Sequence, residues 1–425
     1  MTIKIFMSND LKKKTALLTA YDVDPYRGGE SAVGWNVVRQ ASTSIKVILI
    51  TRVNNCTNID RYIATNGGIE NLTVKYFDLP YLFRFWKKGP RGATIYFYLW
   101  QMFMPLHIKL NKYSFDLLHS VNFVADSFPH FLWWFKKPVI WGPISHHEKI
   151  PKQYIKKYGC MVYLKDRLVW LVKLFFWRLD PFHHLAKWKS SKILSGNSSV
   201  FIRLKGNSLK YIPFSSSAVS SVPESFPKSE NQTFSFLVVA RLVPLKSVDL
   251  AIEAFEDFFK KNSTANVELN IVGSGPFEKK LKALARNKTC AELVKFHGHI
   301  KWDLLQAQYQ SAAVSICTSH EGGGMSVVES LSYGLPTICF DNYGPGETVD
   351  SSCGILIHDE GYSNSVTQFS KAMATLFNNP HLRKTLSQGA KTRVENHFLW
   401  TCRGEELQEV YSNVLNGFDK QFRKS

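Results

Sequence analysis

No Cys-x-x-Cys pair occurs in the 425-residue chain, so the common zinc and dithiol signatures are missing. The seven cysteines (Cys56, Cys160, Cys290, Cys317, Cys339, Cys353 and Cys402) are an odd, scattered set. That pattern fits a reducing cytoplasm better than a disulfide framework. Long apolar runs are missing too. The nearest approach to a membrane span of about 20 residues is Ala93–Leu106, which is short, carries Gln101 and Pro105, and reads as a buried helix. Met1 to Asp10 lacks the apolar run of a secretory signal. No repeat with a period of about 20–50 residues is present. Acidic residues are scarce: 34 Asp and Glu stand against 53 Lys and Arg, a formal charge of +19. A basic surface favours an anionic partner, whether nucleic acid, a membrane or a phosphorylated substrate, and charge alone does not choose among them.

What is present is an α/β rhythm. At about 100–200 residues per domain the length allows two or three domains. Thr15–Tyr21 reads as a strand, the turn-rich Asp22–Glu30 follows, and Ser31–Gln40 shows helical periodicity before the β-branched run Lys46–Thr51. Strand–loop–helix–strand order implies a parallel sheet. Phe115–His119, Pro138–Trp141 and Lys192–Ser195 read as further buried strands. Ser215–Asn231 is rich in Ser and Pro and reads as a linker. After it come the strands Phe234–Ala240, Val267–Val272, Val294–Phe296, Val314–Cys317 and Pro336–Phe340, alternating with helical patterns. The expected division is therefore an N-terminal domain at 1–214, a linker at 215–231, a C-terminal domain at 232–396 and a final helical segment at 397–425. Ligands of open parallel sheets sit beyond the carboxyl ends of strands, so chemistry is sought just after each strand.

Five constellations lie there. Thr318–Glu329 begins at a strand end, runs through Glu321 and the glycines 322–324, and enters a helix at Met325–Ser326, with Glu329 one turn in. Glycines admit close backbone approach, and a helix N-terminus offers free N–H groups to phosphate. Carboxylates accept hydrogen bonds from the hydroxyls of a sugar or a ribose. Read alone, the stretch is equally a glycine loop with a capping glutamate. Arg241 and Lys246 follow the strand Phe234–Ala240 and suit a diphosphate, although such a pair can also be a solvated basic loop. Gly273-Ser274-Gly275 lacks the third glycine of a dinucleotide fingerprint and reads as a tight turn lining a nucleotide pocket. Gly28-Gly29 follows the first strand as a second close-approach loop or a plain turn. His119 ends the strand Phe115–His119, where a lone histidine is either structural or part of a site.

The order and spacing of these motifs resemble the retaining GT-B glycosyltransferases of family 4, in particular those of bacterial surface-polysaccharide synthesis. The resemblance spans nearly the whole chain and is densest from Phe234 to Leu356. It rests on Glu321 and Glu329 with seven residues between them, Gly334-Leu335-Pro336, Arg241 and Lys246, Gly28-Gly29, Asp116 to His119, and Phe398-Leu399-Trp400. Departures are Gly323, where the family commonly has an aromatic, Ser330, where it has alanine, and the loop Asp341–Glu347. The resemblance implies two Rossmann-like domains facing across a cleft, with the last helix crossing back to the N-terminal domain. It implies a hexosyl- or N-acetylhexosaminyl-transferase that uses a UDP- or GDP-sugar without a metal ion. By the same resemblance Glu321 contacts the transferred sugar, His119 lies beside it, and Glu329 holds the ribose. Arg241 and Lys246 hold the diphosphate with backbone N–H groups of Gly324, Met325, Ser326 and Gly29, and Gly273 lines the nucleotide pocket.

Two basic, aromatic stretches fall outside these motifs. Tyr81–Tyr113 has six Lys and Arg and no acid; Lys152–Lys192 has ten against Asp166 and Asp180 and includes the amphipathic run Val169–Arg178. Such stretches suit an anionic membrane surface, where a lipid-linked or lipopolysaccharide glycan acceptor would lie. The expected location is the cytoplasmic face of a bacterial membrane. No nucleic-acid recognition motif is present. Two other readings stay open: a basic nucleic-acid-binding protein, favoured by charge alone, and a nucleotide-sugar epimerase of the same fold, whose acid and base catalysts the sequence does not show.

Overall fold

A computed structural model describes residues 10–422 except 88, 90, 123, 206, 225–232 and 264. By internal contacts the chain divides into two compact units. The first comprises Met1–His146, Leu171–Ser216 and Trp400–Ser425; the second comprises His147–Trp170 and Ser217–Leu399. The N-terminal stretch read as lacking a signal lies mostly outside the described residues, as does the linker from 225 onwards.

The first unit is built on seven strands: β1 (Thr15–Ala20), β2 (Lys46–Thr51), β3 (Leu72–Tyr76), β4 (Leu117–Asn122), β5 (Val139–Ile144), β6 (Lys192–Ser195) and β7 (Tyr211–Pro213). Their order is β3-β2-β1-β4-β5-β6-β7, and every neighbouring pair is parallel. Parallel strands are covered on both faces, which is why β1 and β2 read as almost unbroken apolar runs. The helix Ala93–Leu110 turns Tyr96, Phe97, Trp100, Met104 and Ile108 against Leu17, Ile50, Leu118 and Val139. Burying each such side chain contributes about 1.5–3 kcal/mol. Among the described residues no helix is long and apolar enough to cross a membrane.

The second unit has six parallel strands: β8 (Phe234–Val239), β9 (Val267–Val272), β10 (Val294–Gly298), β11 (Val314–Cys317), β12 (Thr337–Phe340) and β13 (Gly354–Ile357). Their order is β10-β9-β8-β11-β12-β13. The amphipathic helix Val248–Lys261 buries Leu250, Ala251, Ala254, Phe255 and Phe258 on Phe236, Ile271 and Phe369. In each unit the strand order reverses once, between β1 and β4 and between β8 and β11. Doubly wound sheets bind ligands outside the strand ends at that point.

Three readings of the sequence change here. Residues 147–170, expected in the N-terminal block, pack with the second unit. Ile150, Tyr154 and Ile155 enter its core, the Tyr154 hydroxyl donates to Asp359 at 2.5 Å, and the Tyr158 hydroxyl bonds buried Asp249. The first part of the expected linker is also laid down on that unit: Ala218 is buried and Val219 N–H donates to Phe398 O at 2.9 Å. The helix Cys56–Asn66 and the edge strand β3 were not read, because the first buries only Ile59 and the second alternates half-buried and exposed residues.

Candidate functional site

The loops after β8 and β11 form the site of the second unit. After β8 the chain passes exposed Arg241, a single turn at Pro244–Lys246, and Ser247, which holds φ 44° in the left-handed region. A non-glycine residue there costs about 1–2 kcal/mol. Ser247 Oγ donates to Pro244 O at 3.3 Å and steadies the turn. The Lys246 ammonium pairs with the Glu321 carboxylate, both side chains being mostly buried. Thr318 Oγ1 donates to Lys246 O at 2.9 Å and His320 N–H to Leu245 O at 3.0 Å, so the two loops are stitched through backbone as well as charge.

The Glu321 loop is held from several sides. Gly322 N–H donates to His147 Nδ1 at 2.8 Å, and Gly324 N–H to Ser217 Oγ at 3.3 Å. Asn342 donates to Ser319 O at 2.9 Å, while its own carbonyl accepts from Gly344 N–H at 3.1 Å. A Cβ on Gly344 would stand 2.0 Å from Glu321 O, so this position admits only glycine. Past the loop the helix Met325–Ser332 begins, and the first N–H groups of a helix have no acceptor within it. Met325 and Ser326 fall in that first turn. Gly324, expected to donate to phosphate, instead donates to Ser217.

One turn into the helix, Glu329 Oε2 accepts from the Tyr309 hydroxyl at 2.8 Å. Burial pushes the Glu329 carboxyl up to about 7, and the tyrosine bond offsets this in part. Burial, followed by the nearby Glu329 charge, pushes Tyr309 far above its usual range, and Tyr333 stacks on it at 5.2 Å. Gly273 (φ 131°) and Gly275 are packed closely against neighbouring backbone. A Cβ on either would meet Ala240 O at 2.0 Å or Leu242 O at 2.4 Å. These glycines let the β9 turn press against the backbone that carries Arg241.

In the first unit Gly28 and Gly29 are exposed after β1, and a Cβ on either meets nothing within 4 Å. Gly29 (φ 67°) precedes the helix Glu30–Ser42. His119 is a correction. The strand begins at Leu117, since Asp116 accepts from Thr15 N–H at 2.9 Å, and His119 pairs in register with Leu18 inside the sheet. It is fully buried. Nε2 donates to Gly142 O at 2.7 Å, which leaves Nδ1 to accept from the Tyr411 hydroxyl at 2.7 Å. Burial holds its pKa down to about 4. This imidazole is buried and neutral, with both ring nitrogens hydrogen-bonded inside the unit.

The second unit therefore brings together Lys246, Glu321, Glu329 and a helix N-terminus, with Arg241 on the adjoining loop: cations and N–H groups for phosphate, carboxylates for hydroxyls. Sequence reasoning missed His147, Ser217, Asn342 and Tyr309. The first two reach the loop from 175 and 107 residues away, so no local pattern announces them. Asn342 lies in a glycine-proline turn that was legible as a loop and no further.

Residues 222–393 match the family model described as Glycosyl transferases group 1. An uncharacterized glycosyltransferase of Methanocaldococcus jannaschii is 24% identical over 75% of this chain and 79% of its own length. A GDP-mannose-dependent monoacylated alpha-(1-6)-phosphatidylinositol monomannoside mannosyltransferase of Corynebacterium glutamicum is 28% identical over 40% of this chain, which spans under half (45%) of that relative. Among solved structures, a lipopolysaccharide outer core galactosyltransferase superposes with a TM-score of 0.63 at 13% identity, covering 94% of this chain and 99% of its own. At that identity the likeness is one of fold.

Proposed function

We propose that this chain, which its family match and relatives indicate to be a glycosyltransferase, moves a sugar from a UDP- or GDP-sugar to a lipid-linked or lipopolysaccharide glycan, with retention at the anomeric carbon, in bacterial surface-polysaccharide synthesis. The observation that carries the reading is the Lys246–Glu321 pair, held at the strand-order reversal beside the start of Met325–Ser332. The lipid acceptor named for the Corynebacterium relative supports this acceptor class.

In this reading Arg241 and Lys246 hold the diphosphate with the N–H groups of Met325 and Ser326, Glu329 accepts from the ribose hydroxyls, and Glu321 contacts the transferred sugar. Charge that builds on the leaving diphosphate meets fixed cations and a helix dipole. The reading assigns that charge to these groups and not to a metal ion, and the diphosphate takes the acceptor proton. Gly28 and Gly29 stand open to a ligand at the first unit's own reversal point. The enzyme works at the cytoplasmic face of the membrane, to which its basic stretches are drawn.

A thermal-shift panel of UDP- and GDP-sugars tests the donor. A ligand at a hundred times its Kd stabilises the fold by about 2.7 kcal/mol. One nucleotide series is expected to raise the melting temperature clearly; if neither does at millimolar concentration, the donor reading is wrong.

A further inference from the structure

At the amino ends of β11 and β12, where Ala313 and Pro336 precede the strands, the second unit opens a cleft of about 630 Å³. The Glu321 loop follows β11, so the cleft lies at the opposite end of that strand. Small-molecule sites occupy about 300–1,000 Å³. One wall is the helix Pro380–His397. Pro380, Lys384, Ser387 and Lys391 follow one another at intervals of three and four residues, which places them on one face. The cleft holds three cations, Arg383, Lys384 and Lys391, against one acid, Glu224. Arg383 is fixed in place: its guanidinium donates to Phe377 O at 2.8 Å and lies over the Phe234 ring at 5.0 Å. Lys391 Nζ donates to Pro223 O at 3.3 Å. The side chains of Lys384, Ser387 and Gln310 make no hydrogen bond or ion pair among the described residues.

We propose that this cleft is a regulatory site for a phosphorylated small molecule, its phosphate held by Lys384, Lys391 and Ser387, and that filling it strengthens donor binding through Glu329. Cations gathered in one concave site without matching acids raise the local concentration of anions. The helix begins at Pro380 in the wall of the cleft, and its positive end favours the same charge. The Gln310 amide is left for the rest of the ligand. The path to Glu329 is short. Tyr333 lines the cleft and stacks on Tyr309 at 5.2 Å, and the Tyr309 hydroxyl donates to Glu329 at 2.8 Å. Tyr333 and Gly334 close the helix Met325–Ser332, and a Cβ on Gly334 would stand 2.8 Å from Ser387 Oγ. That helix therefore meets the cleft at one end and the Glu321 loop at the other. A ligand packed against Tyr333 holds Tyr309 on Glu329, so the donor has less to order when it binds. The coupling rests on the ribose role proposed for Glu329; the anion site does not.

The site is tested by calorimetric titration of the full chain carrying Lys246→Ala, which removes the diphosphate role proposed for Lys246. Pyrophosphate, a nucleoside monophosphate and a hexose phosphate are titrated in turn. At least one is expected to bind at or below millimolar concentration, and the tightest identifies the ligand's source. Adding Lys384→Gln with Lys391→Gln should weaken that binding at least tenfold while circular dichroism and melting temperature stay unchanged. Lys279→Gln with Lys301→Gln, exposed lysines of the same unit outside the cleft, should leave it within twofold. Binding by none of the three, or equal weakening by both pairs, overturns the site; equal weakening would mean general charge attraction. In the parent, the cleft ligand is expected to tighten nucleotide-sugar binding at least threefold, the opposite sign to competition at Lys246. Tyr333→Leu should keep the cleft ligand and lose the tightening. Unchanged or weaker donor affinity overturns the coupling. If no nucleotide sugar binds any form, the donor reading falls and the coupling with it, while the anion site stands or falls on the phosphate titrations alone.

Discussion

The Lys246 ammonium neutralises Glu321, and in the proposed reading a bound diphosphate shares the same charge. Lys246→Ala is expected to lower turnover at least tenfold while the protein remains folded, because the mostly buried pair contributes more to charge placement than to the core. Steady-state kinetics beside a melting curve check this, and near-normal turnover removes the phosphate role. Glu329 poses a different problem. Burial raises its carboxyl from the usual 4.5 to about 7, so the folded form holds a proton that the unfolded chain has released. Its contribution to stability is full below pH 4.5 and falls as pH rises to about 7. In the proposed reading it is the group ionised above pH 7 that accepts from ribose hydroxyls. Nucleotide-sugar affinity measured by calorimetry is therefore expected to rise several-fold from pH 6 to pH 8, and Glu329→Gln to flatten that profile.

Loops and strands, the next scale up, explain which glycines matter. Gly344→Ala drives a Cβ into the Glu321 carbonyl at 2.0 Å and must shift the carboxylate's backbone, whereas Gly28→Ala enters open space. The first is expected to cut kcat/KM at least tenfold, and the second to leave stability within about 0.5 kcal/mol; a harmless Gly344→Ala would mean that the loop is not held as described. Both glycines were visible in the sequence, but only three-dimensional neighbours separate them. The strands β1, β2, β8, β9 and β11 were legible because parallel strands buried on both faces read as apolar runs. The Arg241, Lys246, Glu321 and Glu329 site was legible because it follows those strands directly. His119 was misplaced because the strand was read as ending there, when Asp116 sets its start and carries it on to Asn122. Residues 147–170 were misassigned because the acids that receive Tyr154 and Tyr158 lie far along the chain.

The whole molecule carries buried neutral histidines in both units. Burial holds His119 and His320 down to about 4 and His130 to about 3, against the usual 6.5. The unfolded chain binds protons near pH 6.5 and the folded chain only well below, so stability is full above that value and falls as pH drops towards 4. One such histidine accounts for up to about 3 kcal/mol. The melting temperature is expected to fall steadily between pH 7 and 4.5, less steeply in His119→Gln; an unchanged melting temperature over that range would contradict the burial of these rings. The order of synthesis bears on the second unit as well. Tyr154 leaves the ribosome 205 residues before Asp359, the carboxylate its hydroxyl meets. At about 5–20 residues per second that is a wait of roughly 10–40 s. During it Ile150, Tyr154 and Ile155 have no core to enter, so the nascent chain shows this aromatic, basic segment to chaperones well before the sheet that will cover it exists.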